Sequence, residues 1–287
     1  MHTREMKLKD INRDNAYDFS YPPRPERCAA LENKIPGLPL LIVDQEKRLV
    51  WGHDYLRFLL GRGRKRSIVL ETSIAPAAAL FLNFNLSTLF FGLNLYEKLH
   101  FVKKISAFVS APEIQRRAEL DFTLAPALVH RLGELLDVSL RRVLACGRLG
   151  LKAALRLIDF PPADRQALLK MFLKVKFSES HQLQVMQLLE ETAFREKKSF
   201  ARVLAGLRLA PLLAQEMPQH RIMEALRRRR FPIFSRRESE WRQWQKNKSV
   251  PGRIALTHAP FFTTEEIQIS LTAKNRPQAE ELLKKIK

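Results

Sequence analysis

Cysteine, glycine and acidic side chains are scarce in this chain. Of its 287 residues only Cys28 and Cys146 are cysteines, with no Cys-x-x-Cys spacing, so neither a disulfide framework nor a zinc–thiolate site is expected and a reducing compartment fits. The ten glycines include no phosphate loop: Gly61-x-Gly63 lacks the third glycine and the Lys-Ser/Thr that such loops carry. Thirty acidic residues stand against fifty Lys and Arg, a formal charge of +20. That field favours a polyanion, either nucleic acid or an anionic membrane surface. An uninterrupted apolar run is missing too. No residue between Glu71 and Glu97 is charged, yet Pro76, Asn83, Asn85, Ser87, Thr88, Gly92 and Asn94 fall within the span. These are costly in lipid and fit two short helices with a turn, so no membrane span is expected. The opening "MHTREMKLKDINRDN" lacks the apolar core of a secretory signal, and a cytoplasmic protein is expected.

What is present is globular: 46% of residues are hydrophobic, and the length suffices for two or three modules. The basic excess is uneven. Residues 195–253 hold 16 basic and 5 acidic residues, whereas residues 111–194 hold 12 and 10. Leu40–Val43 and Arg48–Trp51 flank a polar Asp-Gln-Glu-Lys turn and read as a hairpin. "HDYLRFLL" has helical spacing, "RSIVLE" returns to strand, and Glu26–Lys34 carries a short helical pattern. After "RSIVLE" the chain reads to about residue 226 as short helices divided by Pro, Gly and Ser. The tail alternates Ile267, Ile269 and Leu271, then becomes amphipathic from about Pro277. The expected architecture is an α+β domain over residues 1–109, a helical domain over 110–226, and a basic linker with a small α/β cap over 227–287.

Two stretches could carry function. In "RLVWGHDYLRFLLGRGRKRSIVLE", Gly52 follows a strand and precedes a helix, where backbone N–H groups and the dipole can meet an anion. Arg57 lies one turn further on, but Asp54 puts a negative charge where a phosphate would sit. His53 has no second ligand at metal spacing, and no histidine forms a Ser-His-Asp or Cys-His set, so no metal site is expected and an enzyme reading has no anchor. The second stretch, "RRRRFPIFSRRESEWRQWQKNKSVPGR", mixes eight arginines with Phe231, Phe234, Trp241 and Trp244. Its arginines suit phosphates, while its aromatics either stack on bases or anchor the segment to a core.

The order "YPPRPERCAALENKIPGLPLLIVDQEKRLVWGHDYLRFLL", a strand, then "APAAALFLNFNLSTLFFGLNLYEKLHFVKKI" resembles the N-terminal domain of ParB-type chromosome-partition proteins, with the ParB/sulfiredoxin-like α+β fold. "CGRLGLKAALRLIDFPPADRQALLKMFLKVKFSESHQLQVMQLLEE" is similar to the helical region of that family, so the likeness covers about residues 11–195. The resemblance implies a bacterial, nucleoid-associated, DNA-binding protein with a helix-turn-helix near residues 110–145. It also implies a domain that binds CTP with magnesium and clamps DNA as a homodimer. Gly52 and Arg57 match the family's Gly-x-Arg-Arg-x-Arg box, Asn85 the asparagine of its Glu-Asn-x-x-Arg box, and Leu93, Asn94 and Glu97 the helix start that follows. The paired arginines are replaced by Asp54 and Tyr55, the glutamate by Phe84 and the last arginine by Thr88. Losing those charges weakens a tetra-anion site and weighs against CTP hydrolysis.

The resulting expectation is a DNA-associated, ParB-like protein that is not an enzyme. Its nucleotide-site candidates are Gly52, His53, Arg57 and Asn85. Its DNA-contact candidates are Arg141, Arg142, Arg227, Arg228, Arg229, Arg230, Arg236 and Arg237. The alternatives are a CTP- or ATP-dependent enzyme or switch built on the N-terminal domain, and an adaptor that kept the fold and lost both ligands.

Overall fold

Four short strands organise the first third of the chain. In the computed structural model, which describes residues 2–24, 40–247 and 254–284, they are β1 (His2–Lys7), β2 (Ile42–Val43), β3 (Leu49–Trp51) and β4 (Arg66–Glu71). Their order in the sheet is β1-β4-β2-β3. β2 and β3 form the expected hairpin, with Ile42 opposite Trp51. Its turn is held by the buried Asp44, whose carboxylate accepts from the Glu46 N–H (2.9 Å), the Arg48 N–H (2.8 Å) and Arg48 Nε (2.7 Å). β4 lies parallel to β2, a pairing that needs a crossover. α1 (His53–Gly61) supplies it.

β1 pairs antiparallel with β4 from His2 opposite Glu71 to Lys7 opposite Arg66. Only Met6 of the strand is buried. Held at the sheet edge by backbone bonds, it carries no apolar alternation for a sequence reading to detect.

The charge-free span becomes one 16-residue helix, α2 (Pro76–Phe91), then α3 (Leu95–Ile105). Two short helices were expected; instead the break falls after the span's main helix, because nothing inside Pro76–Phe91 stops it and Gly92 (φ 67°) ends it. The polar residues do not interrupt α2. Phe84 stacks on Phe101 at 4.2 Å between ring centres, and Phe19 meets Phe101 edge-on at 5.7 Å, a core that each ring stabilises by about 1.5–3 kcal/mol.

Short helices follow as expected: α4 (Ala111–Arg117), α5 (Pro126–His130), α6 (Leu132–Leu135), α7 (Val138–Ala145), α8 (Leu151–Leu157) and α9 (Pro162–Lys174). α5 and α9 start on proline and α4 carries Pro112 in its second position, where a missing N–H costs nothing in a first turn. α6 and α7 pack on α3.

The chain divides into two units, Met1–Gln184 and Val185–Lys287, inside helix α10 (Glu179–Glu196), where the sequence reading has boundaries at 109/110 and 226/227. The second unit continues through α11 (Phe200–Gly206), α12 (Leu209–Leu213), α13 (Pro218–Arg230) and α14 (Pro232–Asn247). It ends in an antiparallel pair, β5 (Ile254–His258) and β6 (Ile267–Leu271), and α15 (Arg276–Lys284). The pattern read at Glu26–Lys34, with Cys28, lies outside the described residues, as do residues 248–253 of the basic segment. No described helix is long and apolar enough to cross a membrane.

Candidate functional site

The strand-to-helix step at Gly52 opens onto a polar cavity in the first unit. Gly52 precedes α1 with φ 96°, and a Cβ there would sit 2.1 Å from the Leu40 carbonyl oxygen. Only glycine fits this position, and the reason is the chain's own backbone. His53, Asp54 and Tyr55 follow along the cavity wall, and Asn83 and Ser87, one turn apart on α2, face them. The Asn83 Nδ2 donates to the Tyr17 carbonyl (2.7 Å) and the Ser87 hydroxyl to Asn83 Oδ1 (2.9 Å).

Ion pairs close the rest. The Arg57 guanidinium bridges Asp54 Oδ1 and Asp18 Oδ2, both at 2.7 Å. Asp18, nearly buried, also accepts from the Ser20 N–H at 2.9 Å and from the Ser20 hydroxyl at 2.5 Å. Arg24 pairs with Glu97 at 2.7 Å, and its N–H donates to Asp54 at 3.0 Å. Glu97 accepts in addition from the Tyr21 and Asn94 N–H groups, each at 2.9 Å. The Glu97 N–H in turn donates to Asn94 Oδ1 at 3.0 Å, completing a capping box on α3. Burial pushes the Glu97 carboxyl up against these bonds. Asp18 resists burial and is held below the usual range by nearby His53, the Ser20 bonds and Arg57.

The cavity left between these groups holds about 40 Å³. That is room for a few waters; nucleotide-sized ligands need pockets of roughly 300 Å³ or more. Arg24 in its lining and Arg57, which pairs with two lining carboxylates from outside it, are already neutralised, and three carboxylates, Asp18, Asp54 and Glu97, face the space. The described residues do not fit CTP with magnesium. Among the described residues no group of three or more His, Cys, Asp or Glu side chains could hold a metal ion.

Of the nucleotide-site candidates, Gly52, His53 and Arg57 come together. Asn85 does not: it is exposed on α2, away from the cavity, and Asn83 stands there in its stead. The register explains this, because Phe84 is packed in the core and the helix turns Asn83 and Ser87 inward. Asp18, Arg24 and Asn83 were missed. The polar pair Asn83 and Ser87, at i and i+4 within an apolar helix, was the readable signal.

Histidines give this site a pH dependence. Burial lowers His53, whose Nε2 is enclosed and unpaired, and burial with the Lys104 charge holds His100 at about 4. A histidine whose pKa falls on folding contributes stability above its unfolded value, near 6.5, and loses it as pH falls toward the folded value. Unfolding midpoints of the first unit should therefore drop between about pH 6.5 and 4, and His100→Asn should flatten that slope relative to wild type. Glu97 acts in the opposite sense, so the difference between the two proteins is the measurement.

The DNA-contact candidates separate by exposure. Arg141 is turned inward, its guanidinium over the Tyr21 and Tyr96 rings at 5.0 and 5.7 Å, whereas Arg142 is exposed on α7. In the second unit Arg229 donates to both Glu196 oxygens (2.8 and 2.6 Å) and to the Val203 carbonyl (2.7 Å). It packs where a Cβ on Gly206 would collide with it, and its bonds hold Glu196 at about 2. Arg230 pairs with Glu191 at 2.7 Å. Arg227, Arg228, Arg236 and Arg237 are exposed, and Arg242 joins them on α14. Of the aromatics, Phe234 and Trp241 are anchors, meeting Phe262 and His258 at 5.8 and 5.2 Å.

No family model and no curated protein sequence matches the chain. Among solved structures it is similar to a pNOB8-like ParB N-domain, at 16% identity and a TM-score of 0.39 over 86% of this chain and 96% of that one. A second structure of a pNOB8-like ParB N-domain gives 14% and 0.39, with the same coverage. A C-terminally truncated chromosome-partitioning protein ParB from Caulobacter crescentus, complexed with CTP-gamma-S, gives 16% and 0.27 over 60% and 99%. Likeness at this level carries no function across to the chain.

Proposed function

We propose that this protein is a DNA-associated, ParB-like protein that binds duplex DNA mainly through backbone phosphates and does so without nucleotide. The observation that carries the reading is the run of exposed arginines Arg227, Arg228, Arg236, Arg237 and Arg242 on α13 and α14, in a segment with 16 basic and 5 acidic residues. Arginine forks suit phosphate oxygens, and such contacts carry affinity but little sequence preference. The self-neutralised cavity in the first unit supports the nucleotide-free part of the reading.

Fluorescence anisotropy with a duplex oligonucleotide across a salt series tests it. Changing Arg227, Arg228, Arg236 and Arg242 together to Ala should weaken binding and flatten the plot of log K against log salt by about 3 to 4, near 0.9 per lost phosphate contact. The thermal midpoint should be unchanged. Arg229→Ala should do the reverse, lowering the midpoint of the second unit because Glu196 loses its two-oxygen partner, keeping Lys198 and Arg195, and the Val203 carbonyl loses the guanidinium, with an unchanged salt slope. Equal DNA binding by wild type and the fourfold variant would sink the reading.

The nucleotide-switch reading retains one observation, the unpaired His53 Nε2 in the cavity wall. Titration calorimetry with CTP or ATP and magnesium is expected to give no binding heat at millimolar ligand.

A further inference from the structure

The Gly-Arg turn of the motif at Arg48–Glu71 is not part of the cavity, and its cations gather elsewhere. Backbone pairing of β1 with β4 sets Lys7 opposite Arg66, and the Leu8 N–H donates to the Lys65 carbonyl at 2.9 Å. This joins the segment after β1 to the turn after α1. Between them lies a cleft of about 510 Å³ lined by Lys7, Lys9, Arg13, Arg64, Lys65 and Arg66. All six are exposed. Leu8 and Leu60 complete the lining, and no carboxylate belongs to it. Glu5 reaches Arg66 at 2.9 Å in an exposed pair, worth little. The other five make no side-chain ion pair or hydrogen bond among the described residues.

These cations have no local task that explains them. The carbonyls at the C-terminal end of α1 could call for positive charge, but the turn's own backbone satisfies them. The Arg62 N–H bonds to Phe58 and Leu59, Gly63 to Leu60, and Arg64 to Leu59, with Gly63 at φ 69° allowing the bend. Six like charges within one cleft repel one another, a cost that an anionic ligand offsets.

We infer that this cleft is a second nucleic-acid contact, one that grips the phosphodiester backbone from the first unit. The lining selects the ligand class. It offers cations and aliphatic carbon but no ring to stack on a base and no amide or carboxylate side chain to read one, which suits backbone phosphates and not a free nucleotide. The inference rests on the DNA-binding reading above and extends it to the other unit.

Anisotropy with the same duplex tests it, using the full chain with Lys9→Ala, Arg13→Ala, Arg64→Ala and Lys65→Ala combined. The expected result is a salt slope shallower by about 3 and affinity reduced roughly 10- to 1000-fold at moderate salt. A charge-keeping variant, Lys9→Arg with Lys65→Arg, should bind as wild type does, and circular dichroism of both should match wild type. Unchanged slope and affinity in the alanine variant would overturn the inference, as would absence of any duplex binding by wild type at low salt. The two surfaces are separable. If the cleft variant loses affinity while the α13–α14 variant does not, this inference stands and the second-unit reading falls; if only the α13–α14 variant loses affinity, the second-unit reading stands and the cleft inference falls.

Discussion

Gly52→Ala is expected to cost the first unit about 2–5 kcal/mol, enough to lower its denaturant midpoint sharply. Two effects add. A non-glycine residue in the left-handed region is strained by about 1–2 kcal/mol, and forcing atoms into a packed site costs roughly 1–3 kcal/mol more. The clash here is with backbone: the new Cβ would lie 2.1 Å from the Leu40 oxygen and 3.1 Å from its carbon, so no rotamer change relieves it. Gly63→Ala is the control, because it shares a positive φ but has open space around its Cα. It should lose only about 1 kcal/mol. If the two substitutions cost the same, close approach to Leu40 is not what Gly52 is for.

The second large effect is expected at Glu97. This carboxylate is 3% exposed and accepts from Arg24, the Tyr21 N–H and the Asn94 N–H, tying the segment before residue 25 to the start of α3. Glu97→Ala would strand a largely buried guanidinium and two N–H groups at once. Breaking a buried pair from one side costs about 3–5 kcal/mol. Glu97→Gln, which can still accept, should cost less. Arg24→Ala should also cost less, because the two backbone bonds to Glu97 survive it. Urea midpoints of the three variants, followed by far-ultraviolet circular dichroism, check the order. An Arg24→Ala loss equal to that of Glu97→Ala would mean the backbone bonds contribute nothing.

Much of the scaffold was legible because local chemistry and tertiary packing agree there. The hairpin at Ile42–Trp51 is written in β-branched residues around an Asp turn, and α1 in the spacing of Tyr55, Leu56 and Leu59. Capping of α3 by Asn94 and Glu97 is a four-residue pattern, Asn-x-x-Glu. β1 escaped notice because its pairing is a backbone property and its side chains are mostly solvated. At the candidate site the failure was one of register. Reading Asn85 as a ligand ignores that α2 must bury Phe84, which commits Asn83 to the cavity. Arg57 looked like a phosphate fork until long-range folding brought Asp18 against it, 39 residues away in sequence. The run Arg227–Arg230 likewise reads as one patch, yet α13 turns two of its members onto Glu196 and Glu191.

On the proposed reading, phosphate contacts from basic surfaces, and not a nucleotide-loaded cavity, give this protein its hold on DNA. The most direct test is duplex binding by the wild-type chain across a salt series, with and without CTP and magnesium, with magnesium matched by ionic strength in the control. The predicted result is a steep linear fall of log K with log salt, superimposable in the two conditions. A curve that CTP displaces, or binding that does not respond to salt, would contradict it.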